Sequence, residues 1–98
     1  MIIKEILEQL KTSEKPVAKA IHKGTNFHVL IIGFKKGMIL KEHKTNLPAK
    51  LTVLTGSVIY KQDSTIKTLL QYNETEIPIG IIHSVECIDD SLCLLIQG

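Results

Sequence analysis

The chain has 98 residues, 44% of them hydrophobic and 22% charged, which suits one compact globular domain over 1–98 and excludes a multidomain or unstructured chain. Its net charge is only +2, and all 12 basic residues are lysines scattered along the chain; with no arginine fork and few aromatic rings to stack bases, nucleic acid is excluded as a partner. No apolar run approaches the roughly 20 residues that span a bilayer, so no membrane partner is expected.

The first predicted element is a helix. In "IIKEILEQL", residues 2–10, Ile2, Ile3, Ile6, Leu7 and Leu10 share one face and Lys4, Glu5, Glu8 and Gln9 the other. A helix this short holds only when its stripe is packed, on the domain's own core or on a second subunit. Lys4, Glu5 and Glu8 also break the apolar stretch that a secretory signal would need. Two cysteines, Cys87 and Cys93, are too few for a disulfide framework. The expectation is therefore a cytoplasmic protein. Pro16 blocks continuation of the helix.

From Val17 onward the period changes to that of strands. The segments are "VAKAIH", "FHVLIIGF", "MILKEHKT", "AKLTVLTG", "SVIYK", "IKTLLQY", "TEIPIGIIHSVECI" and "LCLLIQ". Polar or glycine turns separate most of them: "KGTN", "KKG", "NLP", "QDST", "NE" and "DDS". Eight or nine short strands at this spacing predict an all-β sandwich or barrel. A hairpin centred on Asp90 would set Cys87 opposite Cys93, within reach of a cross-strand disulfide under oxidation. The expectation for both is nonetheless a small apolar core residue.

Two stretches then stand out together. One is Gly37, His43, Thr45, Ala49 and Gly56, with five, one, three and six residues between them. The other is Pro78, Gly80, His83 and Cys87, with one, two and three between them. This order and spacing resembles the two motifs of the cupin superfamily, which are small jelly-roll barrels. The resemblance covers residues 37–87 directly. It implies an all-β, cupin-like jelly-roll β-barrel over 17–97, with a short N-terminal α-helix within 1–10. It implies a homodimer as well, as in many cupins. It also implies that His43 and His83 point into the barrel and meet there.

In that family the first motif supplies two histidines and a carboxylate and the second a histidine, which together hold a metal. Here Thr45 stands in for the second histidine and Ala49 for the acid, while Tyr72 and Cys87 replace the second motif's glycine and asparagine. Only His43 and His83 are kept as metal ligands. Stable zinc or iron sites use three or four protein ligands. Cys87 is one candidate third donor, since four residues along a strand it faces the same way as His83. His28 is a remoter one.

The leading expectation is a small cupin-like barrel that binds a small molecule in its cavity without standard metal chemistry. His43, Thr45, His83 and Cys87 would be the polar anchors of an otherwise apolar pocket. Whether it is an enzyme, and which residues would be catalytic, stays open. One alternative is a metal-dependent enzyme of the isomerase or oxygenase type. In it a divalent metal (Fe, Mn, Ni or Zn) held by His43, His83 and a third donor would polarise a substrate oxygen or activate dioxygen. The other alternative is an oligomerising scaffold with no ligand. A Ser84–His83 hydrolytic pair is not expected, because neighbouring strand residues face opposite sides. Lys35, Lys36, Lys41, Lys44 and Lys50 around the first motif read as a solvated face.

Overall fold

The protein, described by a computed structural model over residues 1–98, runs α1 (Ile2–Leu10), β1 (Val17–Lys23), β2 (His28–Phe34), β3 (Ile39–His43), β4 (Ala49–Gln62), β5 (Thr65–Leu69), β6 (Glu74–Ile77) and β7 (His83–Gln97). Every strand pairing is antiparallel. The two long strands form the spine, paired from Ala49 opposite Gln97 to Gln62 opposite His83. The first half of β4 and the second half of β7 belong to one wall, in the order β1-β2-β7-β4-β6. Their other halves belong to a second wall, β3-β7-β4-β5. The inward side chains of both walls meet in one core, with Phe34, Leu51, Val53 and Cys93 from the first and Val58, Tyr60, Val85 and Cys87 from the second. This is the all-β jelly-roll barrel with a short N-terminal helix that the sequence implies. No helix is long and apolar enough to cross a membrane.

A period of two builds these walls. Along β7 the residues Val85, Cys87, Ser91, Cys93 and Leu95 are buried, so one parity faces the core on either side of the exposed Asp89. Along β4 the buried set is Ala49, Leu51 and Val53, then Ser57, Val58 and Tyr60, so the inward parity changes within the strand. The change is made by register shifts between Val53 and Val58, around Gly56 at φ +86°. Between the pairs Val53–Cys93 and Val58–Cys87, β7 runs one residue longer than β4, and the bulges that absorb the mismatch bend both strands. A Cβ at Gly56 would run into the Asp90 carbonyl and Ser91, so the position also needs glycine for space.

This corner corrects the expected strand count. The "DDS" segment is no hairpin: Asp89, Asp90 and Ser91 lie inside β7, which bends together with β4 while the two stay hydrogen-bonded. "AKLTVLTG" and "SVIYK" are likewise one strand bent at Gly56. Seven strands therefore replace the expected eight or nine. Cys87 and Cys93 sit on one strand, both buried and both free, rather than opposite one another. "TEIPIGIIHSVECI" divides into β6 and β7, because Pro78 has no N–H for the ladder and Gly80 turns at φ +74°.

Helix α1 lies on the outer face of the first wall, where Ile6 and Leu10 pack with Ile31. Gly33 admits it, since a Cβ there would meet the side chains of Ile6 and Leu10. The Lys19–Glu5 ion pair joins β1 to the helix at 3.3 Å. It is partly exposed and worth about 0–1 kcal/mol, so apolar contact does most to seat the helix on its own domain.

Candidate functional site

His43 ends β3 and His83 begins β7, and the pairing of these strands sets the two residues opposite each other. Their ring centroids lie 4.1 Å apart with an interplanar angle of 60°. His83 is buried and His43 exposed, so the pair spans the rim of the barrel. His43 Nδ1 lies 2.7 Å from the Lys41 carbonyl, and His83 Nδ1 lies 3.1 Å from the Ile81 carbonyl. A carbonyl oxygen only accepts, so each Nδ1 carries the proton and donates it. In the neutral ring Nε2 then keeps its lone pair. Neither Nε2 has a partner within the protein. Burial holds the His83 pKa below its ordinary 6.5; the bond to Ile81 opposes this and the nearby His43 adds to it.

Two further side chains complete the cluster, and neither belongs to the motifs. Gln62 sits directly across the β4–β7 pairing from His83. Side chains so placed share a face, with Cβ atoms about 5 Å apart. Tyr60, fully buried, stacks its ring 6.0 Å from that of His83 at 28°. Its hydroxyl donates to Gln62 Oε1 at 2.7 Å. Burial, with Asp63 adding, raises the phenol pKa and keeps that proton in place. The sequence signal for both residues was the even-numbered run Val58, Tyr60, Gln62. It becomes readable once Gly56 is recognised as a change of parity.

The other expected anchors are spent elsewhere. The Thr45 hydroxyl donates to the Leu47 carbonyl at 2.8 Å and accepts from the Leu47 N–H at 3.2 Å. The Thr45 carbonyl accepts from the Gly80 N–H at 2.9 Å, so Thr45 ties two loops together. Cys87 does share a face with His83, but four residues of strand separate them by about 13 Å. Its thiol donates to the Asp89 carbonyl at 2.8 Å, and burial above all raises its pKa. Cys93 is pushed up to about 12 by burial, with Cys87 adding to the effect. His28 lies opposite Gln97, at the far end of β7 from His83. Ala49, at the family's carboxylate position, is buried in the core.

The donor set therefore stops at two imidazoles, and no group of three or more His, Cys, Asp or Glu side chains is placed to hold a metal ion. The residues present do not fit a site of three or four protein ligands. The third donors considered, Cys87 and His28, are kept away by strand geometry.

Beside His83 lies an open groove of about 720 Å³, within the size range of small-ligand sites. Lys41 and Lys61 bring two ammonium groups to it, Glu42 and Asp63 two carboxylates, and Ile39 and Ile82 its apolar edges. The middle of the barrel is filled instead: Phe34, Val53, Val58 and Tyr60 are at most 1% exposed. The expected apolar cavity is thus corrected to a polar groove beside His83 that extends along the outward side of the second wall, where Lys61 pairs with Ser84, because the two walls close on their own side chains.

No protein-family model and no curated protein matches the chain. Solved structures do resemble it. A cupin superfamily protein from Desulfitobacterium hafniense shares 15% identity at a TM-score of 0.81, over 87% of this chain and 78% of that one. An RmlC-like cupin from Desulfovibrio desulfuricans shares 23% identity at 0.80, over 87% and 83%. A Cupin 2 conserved barrel domain protein from Leptotrichia buccalis shares 30% identity at 0.81, over 93% of this chain but 45% of that one. This chain spans less than half the length of the Leptotrichia protein.

Proposed function

We propose, from a chain that is a cupin by its fold, that it binds a small polar molecule at the mouth of the barrel over the Nε2 atoms of His43 and His83, without standard metal chemistry. One observation carries this reading. Both Nδ1 atoms are committed to backbone carbonyls, which leaves an acceptor atom on each of two adjoining rings, and one of those rings, His83, lines a ligand-sized groove. Fixed polar groups of this kind orient a ligand, while Ile39 and Ile82 exclude water from its apolar edge. Thr45 and Cys87 drop out as anchors, and Gln62 enters.

The test is a titration of 15N-labelled protein with small hydroxylated compounds, read at the imidazole nitrogens. Saturable movement of the His43 and His83 Nε2 signals supports the reading. A library of such compounds that leaves both signals still removes it.

The same tautomer favours a second reading, because a metal-ligating imidazole donates its other N–H to a carbonyl in this way. A divalent Fe, Mn, Ni or Zn ion would then need substrate or water to complete a shell begun by His43 and His83. Elemental mass spectrometry of tag-free protein, after exposure to each ion, separates the two. Near-stoichiometric metal that vanishes in a His43→Ala/His83→Ala double variant favours a metal-dependent isomerase or oxygenase. Metal-free protein that still responds to ligand favours the first reading, and protein inert to both is a scaffold. The homodimer expected of the fold is checked by light scattering, where a mass of one chain removes it.

A further inference from the structure

The polarity of the mouth points to a ligand class, an inference that rests on the binding reading above. Tyr60 is fully buried, and its hydroxyl proton has one acceptor, Gln62 Oε1. A buried O–H left without an acceptor is costly, so the carbonyl end of the Gln62 amide must face the phenol. That settles which way the amide is turned, a choice that hydrogen-bond satisfaction decides for any glutamine. The –NH2 end of Gln62 then faces away from Tyr60, with no partner in the protein, on the sheet face it shares with His83. The mouth therefore holds two acceptors, His43 Nε2 and His83 Nε2, and one fixed donor, the Gln62 amide. The charged groups of the groove that His83 borders, Lys41 and Lys61 against Glu42 and Asp63, balance in number, so the approach to the cluster favours no net charge.

We infer that the site takes an uncharged molecule bearing a hydroxyl beside a carbonyl oxygen, the hydroxyl donating to a histidine Nε2 and the carbonyl accepting from the Gln62 amide. Gln62 is the specificity-determining contact, and Tyr60 a positioning residue that acts through it. A diol of the same skeleton satisfies the histidines but offers Gln62 a poorer acceptor. The diol must therefore displace water from the Gln62 amide without replacing its hydrogen bond fully, and the hydroxy-carbonyl compound replaces it.

The experiment compares hydroxyacetone with propane-1,2-diol in titrations of the full chain, read at the imidazole nitrogens and the Gln62 side-chain amide. Hydroxyacetone is expected to move all three sets of signals and to bind about tenfold more tightly than the diol. In Gln62→Glu the Tyr60 hydroxyl keeps an acceptor, so the fold is retained, but the free end becomes an acceptor too. That variant is expected to reverse the preference toward the diol. Tyr60→Phe is expected to shrink the preference while the histidine signals still respond. Equal affinity for the two probes in the wild type, with the histidine signals moving, overturns the hydroxy-carbonyl assignment and leaves the binding reading standing. An unchanged preference in Gln62→Glu overturns the role of Gln62. Histidine signals that ignore both probes overturn the assignment, and the wider screen described above then decides the binding reading.

Discussion

β4 and β7 carry one polar cluster at the corner where both strands bend and, together with the end of β3, another at the mouth of the barrel. They treat their hydrogen bonds in opposite ways. At the corner the Ser57 N–H donates to Ser91 Oγ at 3.0 Å, and the Ser57 hydroxyl donates to Asp89 Oδ2 at 3.1 Å. The Lys36 N–H donates to Asp90 Oδ1 at 2.8 Å, while the Cys87 thiol and the Ser91 hydroxyl both reach the Asp89 carbonyl. These groups are spent inside the protein. At the mouth, His43, His83 and Gln62 each use one polar atom internally and leave another unused. A closed network fixes a bend; an open one of similar size, at the other end of these strands, is suited to recognise something.

The sharpest way to break this contrast is Gly56→Val. It combines a strained left-handed backbone with a clash against Asp90 and Ser91, and should cost about 3 kcal/mol or more. A urea melt giving less than about 0.5 kcal/mol would show that the corner is not constrained as described. Ser91→Ala comes next. It leaves the buried Ser57 N–H without its acceptor and should cost about 1–3 kcal/mol in the same measurement, with no effect on ligand response at the mouth.

Protonation probes the other end. The folded His83 resists a proton that the unfolded chain accepts near pH 6.5. The unfolded state therefore binds more protons, so stability falls as the pH drops below about 6.5, by at most about 1.4 kcal/mol per pH unit from this group. The loss levels off once the pH passes the depressed folded value. Urea melts from pH 7.5 to 4.5 should show this slope in the wild type but not in His83→Gln, and parallel curves would refute the assignment. The thiols test the closure of the core. With Cys93 pushed up to about 12 and Cys87 raised by burial, neither should react with a thiol reagent until the chain unfolds. Fast labelling of the native protein would contradict that. His43→Ala should have the smallest effect on stability, within about 0.5 kcal/mol because the ring is exposed, yet it should remove much of the ligand response. A variant that binds as the wild type does would make His43 a bystander.

Much of the fold was readable from local pattern. The stripe Ile2, Ile6, Leu10 marked the helix, alternation marked the strands, and the spacing around His43 and His83 resembled a cupin. The corner was misread because "DDS" has turn composition, and composition reports local preference only. Whether a polar segment reverses the chain or bends within a strand depends on what pairs with it, and here β4 bends in step. The parity change from Val53 to Val58, with Gly56 between, was the available clue. Thr45 was placed as an anchor by its position in the motif and Cys87 by its facing on the strand, and neither signal reports hydrogen-bond partners.

By itself, then, the sequence determined one helix, a succession of strands and two histidines destined for one barrel, because periodicity and turn chemistry act over a few residues. Tertiary structure alone decided that the barrel's middle is filled and its mouth open. It decided that Cys87 and His28 are held away from the histidines, and that Gln62 faces His83. Those outcomes depend on register between strands far apart in the chain, and register is set by the packing of two complete walls.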